Sequence, residues 1–210
     1  MTIITATDIT KTYGPRRILR NVSAAARGGD CLGIIGQNGS GKSTFVRIVA
    51  GVLRPTSGTV SFELDGRSIT DESRPMHSGF VAPYLRLYDE FTAVELLDLH
   101  ARLHGRIVDS TRTHETLERL ELSERCTDRI QTLSSGQRQR VAMALAVHLE
   151  PPLLILDEPS ITMDNRGREL VEHEIRRHRE RGGIVILATN DDREKELCTH
   201  HVSIDVPVSP

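Results

Sequence analysis

Cys31-Leu-Gly-Ile-Ile35-Gly36-Gln37-Asn38-Gly39-Ser40-Gly41-Lys42-Ser43-Thr44 is the stretch on which the fold turns. A short apolar run enters a glycine-rich loop, and a helical pattern begins near Gly41. The spacing from Gly36 to Ser43 satisfies the phosphate-binding P-loop pattern, and its strand-to-helix setting is the one that pattern needs. The glycines let backbone N–H groups of Gly36, Asn38, Gly39, Ser40, Gly41 and Thr44 curl round nucleotide phosphates, aided by the helix dipole. Lys42 is expected to reach the β and γ phosphates and Ser43 to supply a hydroxyl to Mg2+. The plain alternative is a glycine-rich turn that binds nothing.

Outward from this loop, residues 153–156, 184–188 and 202–206 also have strand character and alternate with helical stretches. That order predicts an α/β fold with a mainly parallel sheet. The runs before Gly36 and Asp157 are apolar almost throughout, as in central strands buried on both faces. Between about 91 and 150 the pattern becomes helical. Thr92-Ala-Val-Glu95 forms a capping box, Leu96, Leu99 and Leu103 follow at helical spacing, and a second helix is expected over 111–122 with Leu117 and Leu120 inward.

Composition narrows the class. The 210 residues carry 27 Lys plus Arg against 29 Asp plus Glu, a formal charge of −2 that speaks against blanket phosphate neutralisation, so no nucleic-acid partner is expected. Hydrophobic residues at 38% and charged residues at 27% suit a folded domain. No apolar run approaches the roughly 20 residues of a membrane span, and the N-terminal residues lack a secretory pattern, which predicts a cytoplasmic location. Cys31, Cys126 and Cys198, odd in number and far apart, suit reduced packing thiols.

Two further motifs carry chemistry. Leu153-Leu-Ile-Leu-Asp157-Glu158-Pro159 is an apolar strand ending in two acids and resembles the Walker B strand of P-loop ATPases. Asp157 would hold Mg2+ through water, and Glu158 would polarise the water that attacks the γ-phosphate. Helix-capping acids after a strand are the alternative. Between the P-loop and this strand lies Leu133-Ser134-Ser135-Gly136-Gln137, ahead of a helix expected over 138–149. Alone, Ser-Ser-Gly-Gln is an ordinary helix N-cap. In the order P-loop, Ser-Ser-Gly-Gln, Walker B, it resembles the signature of ATP-binding-cassette (ABC) ATPases, and the likeness then covers nearly the whole chain.

The resemblance implies one P-loop ATPase domain over residues 1–210, with an N-terminal antiparallel β portion and a helical subdomain at about 91–150. It implies Tyr13 as the adenine-stacking ring, although a turn-packing tyrosine is the alternative, and Asp164 at a dimer contact. It also implies that Ser134, Gly136 and Gln137 face ATP held by a partner cassette, in a homodimer or heterodimer. Glu158, Lys42 and Asn190 are the implied catalytic group, with ATP and Mg2+ as ligands. A separate transmembrane permease would convert the cycle into transport, with this chain peripheral on the cytoplasmic face of the membrane.

Three positions depart from the family pattern. Asn190 stands where a histidine is usual and cannot titrate. Pro83 stands at the usual glutamine, with no carboxamide, unless Tyr84 or a carbonyl substitutes. Ser135 replaces a glycine, which matters only if φ must be positive. A soluble ABC ATPase acting elsewhere than a membrane, or a slow nucleotide switch, remains an alternative, but no coiled coil or second cassette is present.

Four of the seven aromatic residues, Phe80, Tyr84, Tyr88 and Phe91, gather beside Leu85 and Leu87, a partner surface or subdomain packing. His100 and His104 are expected on a solvated helix face, as is the basic run at 176–179, balanced by Glu172, Glu174 and Glu180.

Overall fold

The computed structural model describes residues 1–83 and 85–204. The strands are β1 (Thr2–Tyr13), β2 (Arg16–Arg27), β3 (Cys31–Ile35), β4 (Ser57–Leu64), β5 (Arg67–Ile69), β6 (Ser78–Val81), β7 (Leu153–Asp157), β8 (Ile184–Ala188) and β9 (His200–Ser203). The helices are α1 (Lys42–Val49), α2 (Ala93–Leu103), α3 (Ser110–Arg119), α4 (Ser135–His148), α5 (Asn165–Glu180) and α6 (Asp192–Glu196). Among the described residues, no helix is long and apolar enough to cross a membrane.

The strands form two sheets. A parallel sheet has the order β6-β7-β8-β3-β9, and an antiparallel one the order β2-β1-β4-β5. Strands β7 and β8 are buried at every residue. Alternate side chains serve two cores. Leu154, Leu156, Val185 and Leu187 pack with the helices α2 to α5, whereas Leu153, Ile155, Ile184 and Ile186 pack with α1 and the antiparallel sheet. This two-sided burial is why these runs are apolar without alternation.

The antiparallel sheet is the N-terminal β portion that the family resemblance implies, but its individual strands and β6 are not marked by residue pattern. In β1, residues Thr2, Ile4 and Ala6 are buried in alternation. The register then shifts between Ala6 and Ile9 at Asp8, whose φ is 52°. Ile9 and Thr10 are consequently both buried. Such a bulge breaks the period-2 signal on which strand recognition depends.

Several expected helix boundaries move. Helix α4 begins at Ser135 rather than 138 because Ser134 caps it, accepting from the Gln137 N–H at 3.2 Å while Gln137 Oε1 accepts from the Ser134 N–H at 2.9 Å. Helix α3 is shorter than 111–122. Asp109 caps its start and Glu121, at φ 53°, follows its end, with Leu117 and Leu120 buried as expected. In α2 the capping box is present, but Leu103 is 70% exposed. Ala93, Leu96, Leu97 and Ala101 form the buried stripe instead. Strand β9 starts earlier than 202, and residues 205–206 of that expectation lie outside the described residues.

Helix α5 is not only a surface helix. Glu174 is 1% exposed and pairs with Arg119 at 3.0 Å and Arg177 at 3.8 Å, and His178 is buried against Gly183. His100 is also not on a solvated face. It is half-buried, with its ring centroid 4.3 Å from that of His104. Among the described residues, no group of three or more His, Cys, Asp or Glu is arranged to hold a metal.

Burial pushes both histidines down to about 4, helped at His100 by the charges of His104 and His148 and at His178 by that of Arg177, against backbone bonds that pull His178 back up. An unfolded histidine protonates near 6.5. Between that value and about 4 the unfolded chain takes up protons that the folded chain refuses, so stability falls as pH falls through this window. Thermal melts are expected to show this acid loss and its reduction in His178→Gln. An unchanged acid limb in His178→Gln and in His100→Gln would place its origin elsewhere.

Candidate nucleotide-binding site

The carboxyl ends of three adjacent strands, β3, β7 and β8, bring together the P-loop, Asp157-Glu158 and Asn190. Ligands of α/β sheets bind at such an edge. Lys42 opens α1 and is 4% exposed. Its Nζ donates to Gly36 O at 2.8 Å, Gln37 O at 3.3 Å and Asn190 Oδ1 at 3.1 Å, with Glu158 Oε1 at 3.9 Å. Burial pulls its pKa below the usual lysine value, and the charges of Glu158 and Asp157 pull it back up. A phosphate entering the loop competes for these same donors, and its charge offsets the desolvation.

Asn190 uses both ends of its carboxamide. Its oxygen takes the Lys42 bond, and its Nδ2 donates to Asn38 Oδ1 at 2.5 Å. The residue at the family's histidine position therefore reaches the P-loop as a neutral donor and acceptor. Glu158 has φ 47°, a left-handed conformation rare for a residue with a Cβ, and its N–H donates to Ala188 O at 2.8 Å. Local strain of this kind gathers at functional sites. Here it turns the chain at the end of β7 and sets the carboxylate toward Lys42.

Gly41 caps α1 at φ 109°, and a Cβ there would lie 2.8 Å from Leu19 and 3.0 Å from Ile18. Both its backbone angle and the packing of β2 on the loop exclude a side chain. The hairpin that lays β2 on Gly41 turns at Tyr13, which is 48% exposed with Lys11 Nζ 5.0 Å from its ring centre. The Lys11 ammonium sits over the ring, and about half of the residue is open to solvent.

The donor set suits a phosphate and a hard cation. Ser40 has a fully buried hydroxyl with no hydrogen-bond partner among the described residues, Ser43 and Thr44 are partly exposed, and Asp157 is a buried carboxylate whose charge acts on Lys42. Mg2+ prefers such oxygen donors.

Ser134, Gly136 and Gln137 are not joined to this cluster by any hydrogen bond or ion pair among the described residues. Ser134 and Gln137 bond each other at the start of α4. Ser135 lies in the first turn of α4 and is not among the positive-φ residues, so replacing glycine there costs no strain. A Cβ on Gly136 would meet only Thr162 O, at 3.6 Å. One link was not legible in the sequence: Gln139, buried on α4, donates through Nε2 to Pro159 O at 3.0 Å.

Pro83 lies just beyond β6, exposed, at one side of a cleft of about 360 Å³ that also involves Leu85, Arg138, Gln139 and Thr162. Tyr84, the suggested substitute for a glutamine, lies outside the described residues. The aromatic patch divides: Phe80, Leu87 and Phe91 pack against the cores, while Leu85 and Tyr88 are exposed. A smaller hollow of about 280 Å³ at the amino ends of β7 and β8 is lined by Glu150, which pairs with both Arg177 and Arg181 there.

Fold and site together define a P-loop nucleotide-binding protein of the ATP-binding-cassette class. A family model described as ABC transporter matches residues 19–161, and the chain belongs to that family. It is 32% identical to the Nod factor export ATP-binding protein I of Rhizobium etli over 94% of this chain and 64% of that protein. It is also 32% identical to the lipoprotein-releasing system ATP-binding protein LolD of Leptospira interrogans, over 90% and 82% of the two chains. The dimeric post-hydrolysis structure of the cassette MJ0796 bound to ADP and Pi superposes with a TM-score of 0.85 at 26% identity, covering 98% of this chain and 97% of that one. The chain spans a little under two thirds of the length of several of its relatives.

Proposed function

We propose that this chain binds and hydrolyses ATP as the motor subunit of a membrane transporter. The observation that carries the reading is Lys42, buried at the head of the P-loop helix and contacted by both Asn190 and Glu158. ATP lies along the P-loop with Tyr13 against the adenine. Lys42 engages the β and γ phosphates, Asn190 donates to the γ-phosphate, and Glu158 takes the proton of the attacking water. Ser43 and Asp157 would hold Mg2+, which supplies charge neutralisation between the phosphates.

One P-loop and one Ser134-Ser-Gly136-Gln137 segment, unconnected within the chain, favour completion of each site by a second cassette, identical or different. The resolved structure of a related cassette as a dimer supports this. Residues 91–150 serve as the helical arm carrying that segment within a single domain. The exposed Leu85, at the cleft beside Pro83, and the exposed Tyr88 offer a surface to a permease subunit, placing the chain peripherally on the cytoplasmic face of a membrane. Pro83 presents no carboxamide there, so contact with the permease passes through backbone and apolar groups.

Equilibrium dialysis with labelled ATP and Mg2+ tests the binding step. One ATP per chain is expected for the native protein. Weaker binding is expected for Tyr13→Ala, by about fivefold given a stacking energy near 1 kcal/mol. Binding unchanged by Lys42→Ala would sink the reading.

A further inference from the structure

Glu194 is an acid in an unusual place. It lies in α6, directly after the Asn190 loop, and is 6% exposed. Its Oε1 accepts a hydrogen bond from the buried hydroxyl of Ser160, two residues past Glu158, and the Thr189 side chain, immediately before Asn190, favours its charged form. Ser160 and Thr189 are themselves buried. Burial pushes the Glu194 carboxyl above the usual range, the bond from Ser160 and the Thr189 side chain pull it back, Asp191 adds repulsion and Arg168 attraction. An apolar side chain of similar volume would fill this space without desolvating an acid. What the carboxylate adds is a bond to the loop after β7 from a helix that directly continues the loop after β8.

Those loops carry the groups that converge on Lys42: Glu158 at 3.9 Å and Asn190 at 3.1 Å. Three other bonds tie the same region. The Glu158 N–H holds Ala188 O at 2.8 Å where β7 and β8 end, Gln139 of α4 holds Pro159 O, and Arg168 at the start of α5 pairs with Asp191 at 3.0 Å. The first fixes the strand ends through backbone alone, and the other two each reach one loop, so the bond from Ser160 to Glu194 is the side-chain tie that carries the order past Glu158 into residues 159–164. We propose that Glu194 is a positioning residue that fixes the Glu158 loop against the Asn190 loop, so that a nucleotide held at Asn190 also orders residues 158–164. This rests on the reading of the site as an ATPase. It adds that the phosphate contact and the base move as one body, with α6 as the strap.

Two readouts test it. In steady-state ATP hydrolysis, Glu194→Ala is expected to lower kcat about tenfold with KM changed by less than about twofold, because a misplaced base costs rate without costing ground-state binding. Glu194→Gln, which keeps a side-chain oxygen and the length, is expected to recover most of that loss. Ser160→Ala should lower kcat alone but add nothing on the Glu194→Ala background. In hydrogen exchange, added ATP is expected to protect both the P-loop and residues 158–164 in the native protein, and only the P-loop in Glu194→Ala.

Additive losses, a kcat equal to native in Glu194→Ala, or protection of 158–164 that survives Glu194→Ala would each overturn the proposal. Native protein whose P-loop gains no protection from ATP would instead overturn the ATPase reading and the proposal with it. Should Glu194→Ala not fold, Ser160→Ala and Thr189→Val carry the same kcat, KM and exchange readouts.

Discussion

Glu158→Gln is expected to lower ATP turnover by about 10² to 10⁴-fold, the range associated with removing a positioned general base, while ATP binding is retained. Glutamine keeps the shape, so the left-handed backbone at this position and the bond from its N–H to Ala188 O are retained. What disappears is a carboxylate 3.9 Å from Lys42 Nζ and the ability to accept the proton of water. The negative charge that opposes the downward pull of burial on the Lys42 pKa is also removed, but the γ-phosphate brings its own. The variant should therefore load Mg2+ and ATP and remain loaded. If two cassettes close around the nucleotide, the loaded variant accumulates as a dimer in sedimentation, whereas the native protein cycles back to monomer as ATP is spent. Turnover equal to native would remove Glu158 from the chemistry. A variant that binds no ATP and stays single under saturating Mg2+ and ATP would remove the cassette mechanism.

Arg74→Ala is expected to cost the largest share of stability of any single replacement outside the site, about 3–5 kcal/mol. Arg74 is 1% exposed, and its guanidinium donates to Ile48 O and Val49 O at 3.3 Å, to Val60 O at 3.0 Å, and to the Asp71 carboxylate. The first two carbonyls belong to the last turn of α1, where local donors run short, although Ile48 O also accepts from the Gly51 N–H at 3.0 Å, and where a positive charge meets the negative end of the helix dipole. The third belongs to β4. Removing the side chain takes a donor from each of these carbonyls and leaves a cavity under the P-loop helix. The Asp71 contact contributes little to the estimate because that carboxylate is 70% exposed. Urea unfolding should show the loss as a lower midpoint with an unchanged slope. Arg74→Lys should fall between, since a single ammonium cannot fork to α1 and β4 together. Because α1 carries Lys42 and Ser43, ATP affinity is expected to weaken in Arg74→Ala at temperatures below its unfolding. A loss under about 1 kcal/mol would show that α1 is held by its apolar face alone.

Much of the site could be read directly from the sequence because its chemistry is local. The P-loop from Gly36 to Thr44 is one continuous turn, and Asp157 and Glu158 end an apolar strand, so residue type and spacing identify both without knowledge of their neighbours. The same holds for β3, β7 and β8, whose burial on both faces leaves uninterrupted apolar runs. Elsewhere the local signal fails for identifiable reasons. The bulge at Asp8 scrambles the alternation of β1. The buried stripe of α2 rotates from Leu103 to Ala101 because small side chains can lie closest to the core. Glu174 and His178 look like surface residues in a charged helix and are buried because Arg119 and Gly183 meet them from other elements.

The sequence by itself determined the class of fold, the phosphate loop, the two acids and the departures at Pro83, Ser135 and Asn190, since each depends on residues adjacent in the chain. Only the tertiary structure decided that Ser135 needs no positive φ, that Asn190 bridges Lys42 and Asn38, that Gly79 must lack a side chain because Ala146 O would lie 2.0 Å from its Cβ, and that Glu194 joins two loops. Parallel strands bring residues more than a hundred positions apart to one sheet edge, and a hydrogen bond acts over about 3 Å of space regardless of the length of chain between its partners.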